Sequence, residues 1–532
     1  MHPSLLMPLL FVFATIAHAA DTTCTQGKVW VDTDGDGRFD ASERGLAGAK
    51  VSDGRRIAIT DAQGDYKLPS VGGEARTLFV IKPAGFRFPQ RGDGLPSFWI
   101  NDAPRPPTQL KFGGMSAPAQ DPSRCMGFPL LPDRAPVEDE LKVLLFADTQ
   151  TKNGADIDYY RRDIVDPLVG THSATLGLTL GDVVDDDLSL YPALNAVTAK
   201  LGIPWLHIAG NHDLDLDAAR DEDSLLSFRN VYGPDTFAWE EQQAVFVGLD
   251  DVVHQPGASP AYIGGLREDQ FDFLEAYLPS VPKDRLLVVG LHIPLFDAKP
   301  GTETFRRADR RRLFALLAGF PHVLLLSGHD HTQRHVRHGA ESDWHGATPL
   351  HEYNVGAACG AFWSGAKDAA GIPDSRMSDG TPNGYASLSV RGEGKYALAW
   401  HPARDPARTM SLHAPNVLRQ GAYPAWGVYA NVFMGESDTR VEFRIDDGPW
   451  KPMKAVLQPD PGLRVENTKD DLTDALRGYD RSPEATASPH LWRGALPTDL
   501  PLGEHRIEVR AFDRWNGEQA AHARYRLEAA SP

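Results

Sequence analysis

Asp148-Thr149-Gln150, Gly181-Asp182, Gly210-Asn211-His212-Asp213, His292-Ile293-Pro294 and Gly328-His329-Asp330-His331 punctuate the middle of the chain, and each closes a run of apolar residues. The runs, 143–147, 176–180, 205–209, 286–291 and 323–326, have the length of buried strands. Between them lie helix-like stretches at 156–169 and 267–278, the second with Phe271, Leu274 and Leu278 on one face. Strands alternating with helices predict a layered α/β domain. In such domains ligands gather beyond the carboxyl ends of the strands, where all five motifs fall.

Together the motifs supply carboxylates, an amide and imidazoles, the donor set of a site for two adjacent metal ions. Divalent cations roughly 3.5–4 Å apart repel each other, so a shared anion must sit between them. Asp182, directly after a glycine at the end of a strand-like run, is the expected bridge. Imidazole suits Zn or Fe, whereas carboxylate and amide oxygens favour harder ions. An open shell of this mixed kind is catalytic in character; a closed Cys-rich shell would be structural. A single one of the 19 histidines is most often a surface or satisfied core residue, and His172, His207, His338 and His345 read that way.

The ordered set resembles the calcineurin-like metallophosphoesterase superfamily, whose pattern is D-x-H, G-D, G-N-H-[DE], H and G-H-x-H. The resemblance covers residues 140–400 and implies an α/β (α+β) catalytic domain of two facing mixed sheets flanked by helices. It implies that Asp148, Gln150 and His331 hold a first metal, that Asn211, His292 and His329 hold a second, and that Asp182 bridges them. It gives His212 as the general acid that protonates the leaving oxygen or steadies the transition-state charge, with Asp213 orienting the imidazole. The implied reaction is hydrolysis of a phosphate mono- or diester, with two divalent ions (Mn, Zn, Fe or Mg) and attack by a metal-bridging hydroxide.

One departure matters. Gln150 stands where the family has His, and a neutral amide binds borderline metals less well than imidazole. A labile or harder ion such as Mn or Mg is expected at that position, or a Gln150 that supports the other ligands instead. Purple acid phosphatases have Tyr three residues after the bridging Asp; Asp185 here argues against an iron–tyrosinate centre. Two other readings stay open. One is a secreted binding protein with a degenerate metal centre, against which the six other intact ligand positions and His212 weigh. The other is a diphosphatase acting on nucleotide or sugar diphosphates.

Residues 5–16 are mostly apolar and run into Ala17-His18-Ala19, an A-x-A cleavage pattern, so residues 1–19 read as a signal peptide of a periplasmic or secreted protein. That stretch is too short for a membrane span, and no second long apolar segment follows. Three cysteines exclude a disulfide scaffold but permit one bridge; Cys24 with Cys125 is the expected pair, leaving Cys359 free. A net charge of −18 argues against nucleic acid or an anionic membrane as partner. It does not disfavour a phosphate ester, because two divalent cations dominate the field inside the site. Oligomeric state is left open.

At 532 residues the chain implies about three domains. Residues 25–125 form a first module, expected to be a β-sandwich. Within it Asp32, Asp34, Asp36, Asp40 and Glu43 fit every fixed carboxylate position of an EF-hand calcium loop, with Gly37 at the sharp turn. The flanks are rich in β-formers, as in the calcium-binding sandwich repeats of bacterial surface proteins, which the segment resembles; residues 60–66 look like a hairpin turn. Residues 410–532 read as an Ig-like or fibronectin-like C-terminal sandwich, with alternation at 441–445 and 503–513 and no site assigned to Trp492 or Trp515. The Gly- and aromatic-rich segment 354–385 is expected to form one wall of the substrate pocket, led by Trp363.

Overall fold

The computed structural model describes residues 26–69, 76–102, 109–113, 115, 127–133, 139–297, 301–423 and 425–530. The signal segment and the Cys24–Cys125 pairing lie outside these residues. Cys359 is a free, buried thiol.

Two mixed sheets form the middle of the molecule. In the first, the strands run Trp205–Ile208, Leu176–Leu180, Glu140–Phe146, Gly384–Arg391, Lys395–Pro402, the first three parallel and the last two antiparallel. In the second, Ala244–Gly248, Leu286–Gly290, Val323–Ser327 and Leu350–Asn354 are parallel, with antiparallel Phe237–Glu240 and Arg334–His338 at the edges. Leu176–Leu180, Trp205–Ile208 and Leu286–Gly290 are buried at every residue, as continuous apolar runs covered on both faces must be. The sheets face each other closely: a Cβ on Gly290 would lie 2.4 Å from Ile208 Cδ1 and 3.5 Å from Leu180 Cδ2. Because the parallel strands share a direction, their carboxyl ends open onto one edge of this sandwich.

Helices flank the sheets. Glu268–Tyr277 buries Phe271, Phe273 and Leu274, and Gln270 Oε1 accepts from Arg267 N at its start. The stretch predicted at 156–169 is helical from Gly154, capped by Asn153 Oδ1, but it widens to a π turn over Arg161–Val165. Pro167 explains the widening, since it has no N–H to continue the i→i−4 ladder.

The N-terminal part is a pair of small sheets. One places Gln26–Val31 between Arg44–Gly45 and Gly127–Pro132, with Asp65–Lys67 also on Gln26–Val31; the other runs Ile57–Ile59, Lys50–Ser52, Arg76–Ile81, Trp99–Asp102. The sheet thus draws on a strand beyond residue 125, the expected boundary of this module. The expected hairpin at 60–66 is instead a corner between the two sheets, because Ile57–Ile59 pairs with Lys50–Ser52 and Asp65–Lys67 with Gln26–Val31. Asp61 Oδ1 accepts from both Gln63 N and Asp65 N at 2.9 Å, which turns the chain there. The module docks on the second catalytic sheet through Glu240, whose N donates to Lys82 O and whose carboxylate meets Lys50 Nζ at 2.7 Å.

The C-terminal part is a two-sheet sandwich, one sheet running Met410–His413, Gly427–Val432, Leu491–Ala495, Lys454–Ala455 and the other built on the long pair Gly503–Asp513 and Gly517–Glu528. Trp492 lies in its core, whereas Trp515 stacks on His335, His351 and Tyr396 of the catalytic part. A buried polar cluster ties the two: His490 bonds Asp379 Oδ2 and Asn431 Oδ1, and Asn431 Nδ2 donates to Asp379 O and Asp460 Oδ2. Among the described residues no helix is long and apolar enough to cross a membrane.

Candidate metal centre

Each motif follows the end of a strand, and the glycines that three of them carry, Gly181, Gly210 and Gly328, make room for a ligand. A Cβ on Gly181 would sit 2.4 Å from His292 Nδ1, and one on Gly210 would sit 2.2 Å from Asp182 Oδ1. Only a residue without a side chain lets these carboxylates and imidazoles close on one another. The backbone is left-handed at Asp148, Gln150, Asp182, His329 and His331, with φ of 48, 40, 50, 72 and 47°. Such conformations are unfavourable for most side chains and persist where surrounding structure holds them.

The strongest convergence involves Asp182, Asn211, His292 and His329. His292 Nε2 lies 3.1 Å from Asn211 Oδ1, 3.3 Å from Asp182 Oδ1 and 3.3 Å from His329 Nδ1. These separations are those of neighbouring ligands around one ion, and all four side chains are buried or partly so. The ring of His292 is aimed from behind by Leu180 O, 2.8 Å from Nδ1. Its backbone is fixed by Asp251, whose carboxylate accepts from His292 N and Ile293 N at 2.9 Å each. Burial works against a charged His292 ring, but Asp182 and Asp148 outweigh it and push the imidazole up to about 10. Burial and the neighbouring His292 push His329 down to about 4. Burial opposes ionisation of Asp182 as well, and the surrounding imidazoles overcome it, holding the carboxylate below its usual range. Two nitrogens and two oxygens, one anionic, fit a divalent ion of the Zn, Mn or Fe type.

The second grouping is looser. His331 Nε2 is 3.5 Å from Asp148 Oδ1, and both Asp148 oxygens accept from His329 N at 3.1 Å. Gln150 is buried on the same loop; its Oε1 lies 3.9 Å from Cys359 Sγ, and that sulfur is also 3.9 Å from His331 Nδ1. Cys359 therefore stands between Gln150 and His331, a neighbour that no local sequence motif announces.

His212 stands at the mouth, with its N donating to Asp182 Oδ1 at 2.9 Å. Its ring is not held by Asp213. The Asp213 carboxylate is fully buried and accepts from Gly210 N, Val183 N and the Tyr191 hydroxyl, so it braces the loop. The partners of His212 Nδ1 are Asp186 Oδ1 at 2.8 Å and Asp185 Oδ1 at 3.1 Å. Burial alone would discourage the imidazolium, yet Asp186, Asp182 and Asp185 raise the group to about 9. The only sequence signal for this pair is an acidic run, Asp185 to Asp187, that two valines separate from the Gly181-Asp182 motif.

Trp363 is not a substrate wall. It is fully buried, its Nε1 donating to Thr149 O at 3.0 Å, and it packs beneath the first motif. Its neighbour Phe362 is the exposed ring, tilted against His331 at 4.9 Å between centroids. On the other side Tyr262 meets His329 edge-on at 5.9 Å.

In the N-terminal loop Asp32, Asp34 and Asp36 each bring a carboxylate oxygen within 4.8 Å of the others. Asp32 is buried and its oxygens accept from Gly35 N and Gly37 N, which winds the loop around it. Asp40 and Glu43 are not part of that group. Asp40 turns to Ser42, and Glu43 closes the loop onto Thr33 N at 2.9 Å.

Residues 141–333 match the profile of the calcineurin-like phosphoesterases, residues 32–113 match that of their N-terminal part, and residues 352–518 that of their C-terminal part. The chain belongs to the calcineurin-like phosphoesterase family. It is 31% identical over 166 residues to the 3',5'-cyclic adenosine monophosphate phosphodiesterase CpdA of Pseudomonas aeruginosa, covering 29% of this chain and 54% of that one. The chain thus spans about half the length of this curated relative. Among solved structures, the purple acid phosphatase PPD1 from yellow lupin seeds is 12% identical with a TM-score of 0.38, over 68% of this chain and 79% of its own. A dimetal phosphatase from Danio rerio is 15% identical with a TM-score of 0.33, over 49% of this chain and 95% of its own.

Proposed function

We propose that this protein is an exported metal-dependent phosphoesterase that hydrolyses a phosphate mono- or diester. The observation that carries the reading is the convergence of Asp182, Asn211, His292 and His329 at 3.1–3.3 Å, with Asp148 and His331 beside them. Two divalent cations in this nest would supply Lewis acidity and a water ionised near neutral pH.

The chain's own residues do the rest. Asp182 stays anionic and would help to hold the ions. His212, its ring held by Asp186 and Asp185, would donate a proton to the departing oxygen. Leu180 O keeps the His292 ring from turning, and Asp251 holds its backbone. Gln150 contributes a neutral oxygen or supports the first position through its neighbours.

The deciding experiment is hydrolysis of p-nitrophenyl phosphate and bis-p-nitrophenyl phosphate with Mn, Zn, Mg or no added metal. Turnover that a chelator abolishes and one metal restores supports the reading, and the preferred ester chooses monoester or diester. No turnover of either ester with any metal overturns it in favour of a binding protein.

The N-terminal loop is proposed to take Ca²⁺ through Asp32, Asp34 and Asp36, stiffening the module without doing chemistry. Export is proposed from the apolar N-terminus, and N-terminal sequencing of protein recovered from the periplasm or medium tests it: a mature start after Ala19 supports it, an intact Met1 refutes it.

A further inference from the structure

We infer that the substrate's leaving group is an aryl or heteroaryl ring, seated on a rim that the catalytic loops and the C-terminal domain build jointly from Phe362, Lys152 and Tyr479. This rests on the phosphoesterase reading and names the substrate class for that site.

Phe362 is 46% exposed although large and apolar, and its ring lies 4.9 Å from that of His331. Packing does not require it to face solvent, because Trp363 beside it supplies the anchor in the core. The two have φ of 56 and 54°, so a run of left-handed backbone at two bulky residues is what turns one ring in and the other out. Strain of this kind concentrates at ligand sites.

Lys152 joins the parts of the rim. Its Nζ donates to Phe362 O at 2.5 Å, pairs with Asp156 at 3.1 Å, and lies 4.9 Å from the ring of Tyr479. Tyr479 comes from the C-terminal domain and is 55% exposed. Its loop is stitched to the Phe362 segment by backbone bonds from Gly365 N to Asp480 O and from Lys367 N to Arg477 O, both 3.1 Å. Phe362 thus reaches the His331 end of the metal centre, and Lys152 links it to a second solvent-facing ring, Tyr479. A flat apolar leaving group stacks on such rings. A small alkyl group would leave both rings wet.

The test compares phenylphosphonate with methylphosphonate as ligands of the Mn-loaded protein by calorimetry, alongside kcat/KM for phenyl phosphate and glycerol phosphate. Phenylphosphonate should bind about tenfold tighter than methylphosphonate, and Phe362→Ala and Tyr479→Ala should each shrink that ratio severalfold. The aryl-to-alkyl ratio of kcat/KM should shrink in parallel, through KM. Metal content and far-UV circular dichroism check that each variant is folded and loaded; Tyr479→Ala, in a separate domain, keeps the test alive if Phe362→Ala is not. Equal affinity for the two phosphonates, or a ratio that both variants leave unchanged, overturns the aryl rim while the phosphoesterase reading stands. Binding of neither phosphonate together with turnover of neither ester refutes both.

Discussion

His212 Nδ1 lies 2.8 Å from Asp186 Oδ1, while the carboxylate of Asp213, the very next residue, turns inward to Gly210 N and Val183 N. The acid adjacent in sequence supports the loop; the acid that holds the ring is 26 residues upstream. The two should fail differently. Asp185→Asn with Asp186→Asn should lower turnover by about tenfold or more with metal content unchanged. Asp213→Ala leaves buried N–H groups and the Tyr191 hydroxyl without an acceptor, costing about 1–3 kcal/mol, and melting temperature, metal and turnover should drop together. Full turnover in the double variant would refute the orienting role of the upstream pair.

Gly210→Ala and Gly181→Ala should each strip metal from the centre. The new methyl would overlap the Asp182 carboxylate in one and the His292 ring in the other, and Gly181 adds a φ of +88° that alanine resists. Metal analysis of the purified variants decides the matter. Full occupancy in both would mean the ligands can retreat.

Trp363→Ala should cost about 3–5 kcal/mol of stability, as expected for a large buried ring. Phe362→Ala, half-exposed, should change melting temperature little. Chemical denaturation of the two variants side by side reads the difference, and equal losses would contradict the inward–outward split of this pair.

Calcium should raise the melting temperature of the protein, and Asp32→Ala should remove the effect. Differential scanning fluorimetry with calcium and with chelator is sufficient. A wild-type transition indifferent to calcium would leave the loop a solvated acidic turn.

The pair His505–Asp446, 2.8 Å apart, gives the C-terminal sandwich a pH dependence. Burial opposes the imidazolium, but the hydrogen bonds from the ring to Asp446 and to Pro501 O together outweigh it and raise His505 above 6.5. Asp446, despite its own desolvation, is lowered below 3.8 by His505. A raised histidine stabilises fully below its unfolded value and loses that contribution as pH rises through the folded one. A lowered carboxylate stabilises above its unfolded value and loses it on acidification. The pair therefore contributes most near pH 5–6, and less than about 1 kcal/mol because Asp446 is half exposed. The difference in melting temperature between wild type and Asp446→Asn should be largest there and shrink above pH 8. A difference that grows with pH would reverse the assignment.

The strands of the catalytic part and the motif positions were legible because apolar runs ending at glycine leave a local trace. Leu176–Leu180 appears in the structure with the bounds its apolar run predicts. What depends on contacts far along the chain was not legible. Gly127–Pro132 joins the N-terminal sheet as a parallel neighbour of Gln26–Val31, a pairing across about a hundred residues. Nothing in the spacing of Asp185, Asp186, His212 and Asp213 says which acid faces the ring. The order Phe362-Trp363 does not reveal which ring is buried, because a left-handed turn at both residues decides it. Cys359 comes beside Gln150 only when the 354–385 segment folds back over the first motif, with Cys359 N bonded to Asp148 O.

The left-handed backbone at Asp148, Gln150, Asp182, His329 and His331 has a consequence for anyone wishing to move this centre to another scaffold. Aspartate accepts that conformation readily, but glutamine does not. Grafting the seven side chains onto ordinary loops would place the donors correctly on paper and release them in solution. The transferable unit is the set of strand-end turns with their glycines, and a recipient needs stability to spare before the side chains are added.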